Sequence, residues 1–228
     1  MPELPDVENF KRYLNRTALH RTIGGVQLGD RRALDGVSGQ RLARAVKGRK
    51  IERSRRHGKH LFAALHRGPW LTLHFGMTGH LVRFRRPKDD PRFDRVRFDL
   101  DRGDHLAFVD QRIFGRVGLT ADPDTYIVDA RLGPDALTLA RDPDAFVERL
   151  ERKALKKLCR ATRAVLETAI DCGAGSENFI ECLPPTYLLP HRKPGARCPA
   201  CGGKIQSIKA AGRTSYYCAS CQPAPAPR

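Results

Sequence analysis

The sequence predicts an α+β fold: an N-terminal helix and β-sandwich, then a short helical segment, then a C-terminal β-ribbon tied by four cysteines. Three patterns predict it. Val7, Phe10 and Leu14 recur at helical spacing near the start. The pattern then shortens to period two, as in Leu71, Leu73 and Phe75 or Val96 and Phe98, broken by Gly24-Gly25, Gly68-Pro69, Gly76, Gly79 and Gly103. Near the end, Cys198, Cys201, Cys218 and Cys221 form two C-x2-C pairs.

Taken in order, the first helix is expected over about 5–19, with Glu3 and Asp6 suited to the positive end of its dipole. A β-rich stretch follows from residue 22 to about 120. After Gly133-Pro134, Asp142-Pro143 reads as an N-cap with proline at the first helical position. Phe146, Leu150, Leu158, Val165 and Ile170 continue a helical stripe, which Gly173 stops. No glycine or proline lies between Asp144 and Cys172, so one long helix or a gently broken pair is expected there. The organisation is then a sandwich domain over 1–125, a helical segment over 126–182 and an extended, proline-rich linker over 183–197. The ribbon follows over 198–222 and a disordered tail over 223–228.

Composition narrows the partner. The 228 residues carry 42 Lys plus Arg against 25 Asp plus Glu, a formal charge of +17. So lopsided a balance excludes an ordinary enzyme of small neutral metabolites and favours a polyanion. The basic residues are scattered through sheet-like and loop segments and do not line one face of an amphipathic helix, so nucleic acid is favoured over a membrane surface. No apolar run approaches the roughly 20 residues that span a bilayer, and MPELPDVENF has no signal-peptide character. The expectation is a cytoplasmic protein with no membrane partner, acting as a monomer.

The cysteine spacing is C-x2-C, sixteen residues, C-x2-C, which lets two knuckles each donate two thiolates to a tetrahedral site. One structural Zn2+ per chain, held by Cys198, Cys201, Cys218 and Cys221, is expected. Gly202-Gly203 turns the backbone beneath it, and Ile205, Ile208 and Tyr216-Tyr217 lie on the strands between. A closed four-thiolate site has no open position for water, so catalysis must lie elsewhere. Cys159, Cys172 and Cys182 are left as unpaired thiols. At the hairpin tip, Lys209, Gly212 and Arg213 make either a phosphate-gripping turn or a solvated basic one.

Pro2 becomes a secondary amine if Met1 is removed. Such an amine, attacking a sugar C1′, displaces the base and leaves an iminium ion that is cationic without a proton, easing elimination of the 3′ phosphate. Glu3 beside it suits proton transfer.

Six segments carry a resemblance. MPELPDVE at the N-terminus, RRHGKHL at 55–61, LHFGMTGHL at 73–81, DQRIFG at 110–115, LGPDAL at 132–137 and CPACGGKI…GRTSYYCASCQ at 198–222 occur in one order. That order resembles the formamidopyrimidine-DNA glycosylase and endonuclease VIII family. The resemblance implies a sandwich, a helical domain and a zinc ribbon that bind double-stranded DNA carrying a damaged base or abasic site. It implies Pro2 as Schiff-base nucleophile, Glu3 as its acid–base partner and Lys59 as a phosphate contact near the lesion. Met77 is matched to the residue that fills the gap left by a flipped nucleotide, Arg112 to the reader of the orphan base and Phe114 to an aromatic wedge. Lys156 and Arg213 are matched to phosphate contacts. On residue type alone, Met77 and Phe114 read as core residues and Arg112 as a surface arginine.

The sequence departs from the family in one place. Its relatives carry a helix–two-turns–helix unit with a GxGN turn where RKALKKLCRATRAVLETAID runs straight through residues 152–171, so the helical segment is reduced. Arg152, Lys153, Lys156, Lys157, Arg160 and Arg163 offer partial compensation in charge. The resemblance implies a DNA repair glycosylase with AP lyase activity, cleaving by β- or β,δ-elimination, with DQRIFG inclining towards oxidised purines. The alternative is a catalytically weak or inactive lesion-binding protein. A zinc-ribbon protein of the RNA machinery fits charge and cysteines but leaves the N-terminal motif unexplained.

Overall fold

The computed structural model describes residues 1–142, 155–176, 179–210 and 212–222. It contains two compact units, Met1–Ile170 and Asp171–Arg228.

In the first unit, α1 (Leu4–Ala18) carries Pro5 in its first turn and buries Leu4, Val7 and Leu14, while Phe10 lies against the ring of Phe75 at 4.6 Å. Two sheets share one core with it. The first runs in the order β1 (Ile23–Leu28), β7 (Asp94–Leu100), β8 (His105–Val109), β6 (His80–Phe84), all antiparallel. The second runs β2 (Leu34–Asp35), β9 (Arg116–Thr120), β5 (Trp70–His74), β4 (His60–Leu65), β3 (Ile51–His57), with β2 and β9 parallel. The period-two residues point where their alternation demands: Leu71, Leu73, Phe75, Val96 and Phe98 are all buried in this core.

Reading residues 22–120 as strands alone misses α2 (Gly39–Val46). The Ser38 hydroxyl accepts the Arg41 N–H at 3.2 Å as its N-cap, and Leu42 and Val46 drop into the core while Arg41 and Arg44 face solvent. The outer face of β4 is also covered: Tyr126 of α3 (Pro123–Asp129) meets Phe62 edge-on at 5.5 Å.

Within the expected helical segment, a helix opens sooner after Gly133-Pro134 than Asp142-Pro143 suggests. Asp135, in LGPDAL, caps α4 (Ala136–Arg141), and Asp142 closes that helix; whatever Asp142-Pro143 opens lies outside the described residues. Pro143, Phe146, Leu150, Arg152 and Lys153 lie outside the described residues. From there α5 (Leu155–Asp171) is continuous for 17 residues, and Gly173, at φ +76°, follows its end. Leu166 and Ile170 pack with Leu137 of α4 and Leu4 of α1, so the N-terminus of the chain is seated on the helical segment.

In the second unit, α6 (Phe179–Cys182) leads into residues 183–197, which do not form the extended linker that their prolines suggest. The turns Tyr187 N–H to Pro184 O and Ala196 N–H to Lys193 O flank a 3-10 turn at Leu189–His191, and Leu188 and Ala196 pack against the ribbon. Prolines supply the turn corners here. The ribbon itself is β10 (Ile205–Ala210) paired antiparallel with β11 (Arg213–Cys218). The proposed tail, 223–228, lies outside the described residues.

Candidate active site and metal centre

Pro2 and Glu3 sit immediately before the first turn of α1. The Glu3 N–H donates to the Asp6 carboxylate at 2.6 Å, so the start of the helix is closed by its own side chain. Burial raises the Asp6 pKa, partly offset by that same bond. The turn between β3 and β4 delivers Lys59, whose Nζ lies 2.6 Å from Glu3 Oε2. Both side chains are substantially exposed, so the pair contributes about 0–1 kcal/mol to stability. Its placement is thus not explained by folding.

What fixes that turn is a buried network the sequence reading did not assign. Arg56 reaches Glu8 of α1 at 2.9 Å through Nε, and grips both oxygens of Asp135 through its two terminal nitrogens. Asp135 also accepts the Gly58 N–H at 2.7 Å and the Thr138 N–H at 2.9 Å. Burial opposes ionisation of Asp135, yet Arg56 and these amides hold its carboxyl far below the usual range. One carboxylate therefore caps α4 and holds the residue preceding Lys59. The signal was present as the aspartate of LGPDAL, but nothing local says that it reaches Gly58 across 77 residues of sequence.

His74 lies beside this turn. Its pKa is lowered, first by burial and then by the positive charges of Lys59 and Arg116. Lys59 and Arg116 thus stand close enough to His74 to disfavour its protonation. The cross-strand pairs His60–His74 and His74–Arg116 put them there.

A second cluster lies where the FGMTG turn meets the DQRIFG loop. Gly76, at φ +57°, has no room for a Cβ, which would lie 2.4 Å from the Phe114 carbonyl carbon. Met77 is 39% exposed and Phe114 49%, so neither is the core residue that its type suggests. The Arg112 guanidinium lies 5.1 Å from the centre of the Phe114 ring. Three side chains matched to DNA insertion are therefore brought together and turned outward. Lys156 falls in α5, and Arg213 opens β11 in the second unit, across a two-residue tip containing Gly212 at φ +74°.

In the ribbon, the four sulfurs of Cys198, Cys201, Cys218 and Cys221 all lie within 4.8 Å of one another. Cys198 to Cys221 is 3.9 Å and Cys201 to Cys218 is 3.5 Å. Zinc–sulfur bonds of about 2.3 Å in a tetrahedron put sulfurs about 3.8 Å apart, so the set fits that metal. A Cβ on Gly203 would come within 3.3 Å of Cys201 Sγ and 3.4 Å of Cys218 Sγ; glycine leaves the thiolates their space. Hydrogen bonds from the Cys221 amide and neighbouring groups bring the Cys218 thiol down to about 6, while the Cys201 and Cys198 thiols beside it push Cys221 up to about 12, so the four sulfurs are not all ionised without a cation among them.

Fold and sites together define a β-sandwich protein with an N-terminal acidic–basic site and a four-cysteine zinc-finger ribbon. The family pattern of the formamidopyrimidine-DNA glycosylase N-terminal domain matches residues 1–117, and that of the zinc finger found in FPG and IleRS matches residues 195–224. A formamidopyrimidine-DNA glycosylase of Nocardioides sp. is 30% identical, with 99% of this chain and 95% of the relative covered; that of Arabidopsis thaliana is 28% identical, covering 95% of this chain and 70% of the relative. The Lactococcus lactis enzyme, solved non-covalently bound to DNA containing an AP site, superposes with a TM-score of 0.78 at 22% identity, over 98% of this chain and 100% of that one. The chain belongs to the formamidopyrimidine-DNA glycosylase family. The Nocardioides alignment extends over 291 positions, more than the 228 residues available here, so that relative carries residues this chain lacks. Among the described residues no helix is long and apolar enough to cross a membrane.

Proposed function

We propose that the protein is a DNA glycosylase and AP lyase that removes oxidised bases from double-stranded DNA. The observation that carries this is the Glu3–Lys59 pair at 2.6 Å beside Pro2, in a family member. With Met1 removed, the Pro2 nitrogen attacks C1′ of a flipped nucleotide, and the base leaves with a proton supplied through Glu3. The Pro2 N–H proton is lost, a proton delivered to O4′ opens the sugar ring by breaking C1′–O4′, and the iminium so formed between Pro2 and C1′ withdraws electrons from C2′. Loss of a C2′ proton then expels the 3′ phosphate, and water releases Pro2. Lys59 offsets the charge of the phosphates alongside. Met77 and Phe114 fill the vacated stack while Arg112 faces the orphan base. The cysteine ribbon holds one structural zinc and presents Arg213 to the backbone.

One observation favours a second reading, a weak or inactive lesion-binding protein. Helix α5 is continuous from Leu155 to Asp171, the stretch in which the resemblance expects phosphate-binding turns. Each lost phosphate contact lowers affinity and its salt dependence.

Borohydride trapping on abasic-site duplex separates the two. The methionine-processed protein should form a covalent adduct, and Pro2→Gly should lose at least nine-tenths of it. No adduct with processed protein, despite tight binding, would establish the binding-only reading.

A further inference from the structure

The two apolar–cationic turns of the second cluster are held together by one side chain, Asp110, which no part of the reaction above uses. It is wholly buried. Its Oδ1 accepts the Thr78 hydroxyl of the FGMTG turn and the Arg112 N–H at 3.2 Å, while Oδ2 accepts the Gly115 N–H at 2.7 Å. The Thr78 hydroxyl oxygen also accepts the Arg112 N–H, at 3.2 Å. Thr78 and Asp110 thus link the residue after Met77 to the backbone on both sides of Phe114.

The surroundings prevent slack. Arg95 Nε donates to the Asp110 carbonyl at 2.7 Å, and Arg116 Nη1 donates to the carbonyls of Ile113 and Gly115, each at 2.8 Å. Ile113, a β-branched residue, is held at φ +57°, a conformation such residues avoid unless the surrounding structure imposes it. A Cβ at Gly76 would collide with Phe114 and Gly115 backbone, and one at Gly115 would lie 2.6 Å from the Phe108 ring. The loop is therefore clamped on every side, yet Met77, Arg112 and Phe114, together with Gln111, are turned out of it to solvent. Strain of this kind, stored beneath three outward-facing side chains, has no use in the core.

We infer that Asp110 and Thr78 are positioning residues that lock the two turns into one rigid wedge, so that Met77, Arg112 and Phe114 enter a duplex as a single body. The inference rests on the proposal that these three side chains enter DNA, but not on the Pro2 chemistry. A preformed wedge avoids ordering three side chains separately on binding, and it makes gap filling and orphan-base contact simultaneous.

The test uses full-length, zinc-loaded protein and a duplex with 2-aminopurine opposite an abasic-site analogue, whose fluorescence reports unstacking independently of any cleavage. Asp110→Asn presents an NH2 to one of the N–H donors, and Thr78→Val removes the hydroxyl at nearly constant shape. Both should reduce the fluorescence change at saturation at least fivefold, with Thr78→Ser restoring it and the melting temperature of Thr78→Val within a few degrees of the unaltered protein. Trapping by borohydride should fall about tenfold or more on duplex, as misplacement does, and less than twofold on single-stranded abasic DNA, where no wedge is required. An equal fluorescence change in all forms, no change in the unaltered protein, or equal loss of trapping on both DNAs would overturn the inference. Absence of trapping with the fluorescence pattern intact would strike only the proposed Pro2 chemistry.

Discussion

The two compact units are held together by different physics. The sandwich has a continuous core in which Val7, Leu42, Ile51, Leu61, Leu73, Val96, Phe108 and Val117 come from both sheets and two helices. Among the described residues the ribbon's apolar cluster buries only Cys198, Ile205 and Cys218, with Leu188, Ala196 and Tyr216 against them. Two short strands cannot remain folded on so little apolar area, since an isolated hairpin is marginal in water. The four thiolates must supply the remainder. On the proposed function, the two phosphate contacts therefore differ in what they depend upon: Lys59 stands on packing and a buried ion pair, and Arg213 stands on the zinc that the four thiolates would hold.

The sharpest way to break this comparison is to remove the metal. Chelation at neutral pH, or Cys201→Ser, should unfold the ribbon outright, because binding energy is folding energy in such sites. Affinity for abasic duplex should fall by at least a hundredfold, while the sandwich transition seen by calorimetry moves by no more than a few degrees. Unchanged affinity in the chelated protein would show that the ribbon contributes little to DNA binding.

The matching disruption on the sandwich side is Asp135→Ala. It strands Arg56 in a nearly dry site and removes the cap of α4, so a cost of about 3–5 kcal/mol is expected. The Gly58–Lys59 turn loses its anchor with it. Urea unfolding should show the stability loss, and trapping should drop by more than the folded fraction does. A double change, Arg56→Met with Asp135→Leu, should recover much of the stability without the trapping, which separates packing from positioning.

These two sites also show how far the sequence was readable. The cysteine ribbon was legible because spacing alone dictates its geometry: C-x2-C twice, with Gly202-Gly203 between, leaves one arrangement of four sulfurs. The sheets were legible from the alternation of Leu71, Leu73 and Phe75. Met77 and Phe114 show the opposite case. Residue type says core, and only the resemblance moved them outward, where the structure leaves them exposed. Helix α2 was hidden because GQRLARAV lies inside a region dominated by alternation, its Ser38 cap being the one local sign. Asp135 and Asp110 were not readable as anchors at all. A buried carboxylate is defined by partners such as Gly58 and Thr78, which are 77 and 32 residues away, and no local period encodes such distances.

The smallest expected effect concerns pH, and it is read on the sandwich transition alone. Burial, with help from the charges of His74 and His57, pushes the His60 pKa down from 6.5 to about 4. Between those values the unfolded chain binds a proton that the folded chain refuses, so stability falls as pH drops from 6.5 to about 4 and is flat above that range. Asp94 works the other way over part of the same interval. Burial raises it from 3.8 to about 6, so the folded chain takes up its proton first and gains stability as pH falls. The unaltered protein should therefore show a shallow net slope. His60→Asn removes one of the two opposing groups, and the difference between the two proteins isolates it: the variant should lose less stability, by at most about 1.4 kcal/mol per pH unit. Parallel curves for the two proteins from pH 7 to 4.5, measured by urea unfolding of the sandwich, would mean that His60 titrates normally and that the β4–β5 end beside Lys59 admits more water than its packing against Phe62 and Tyr126 allows.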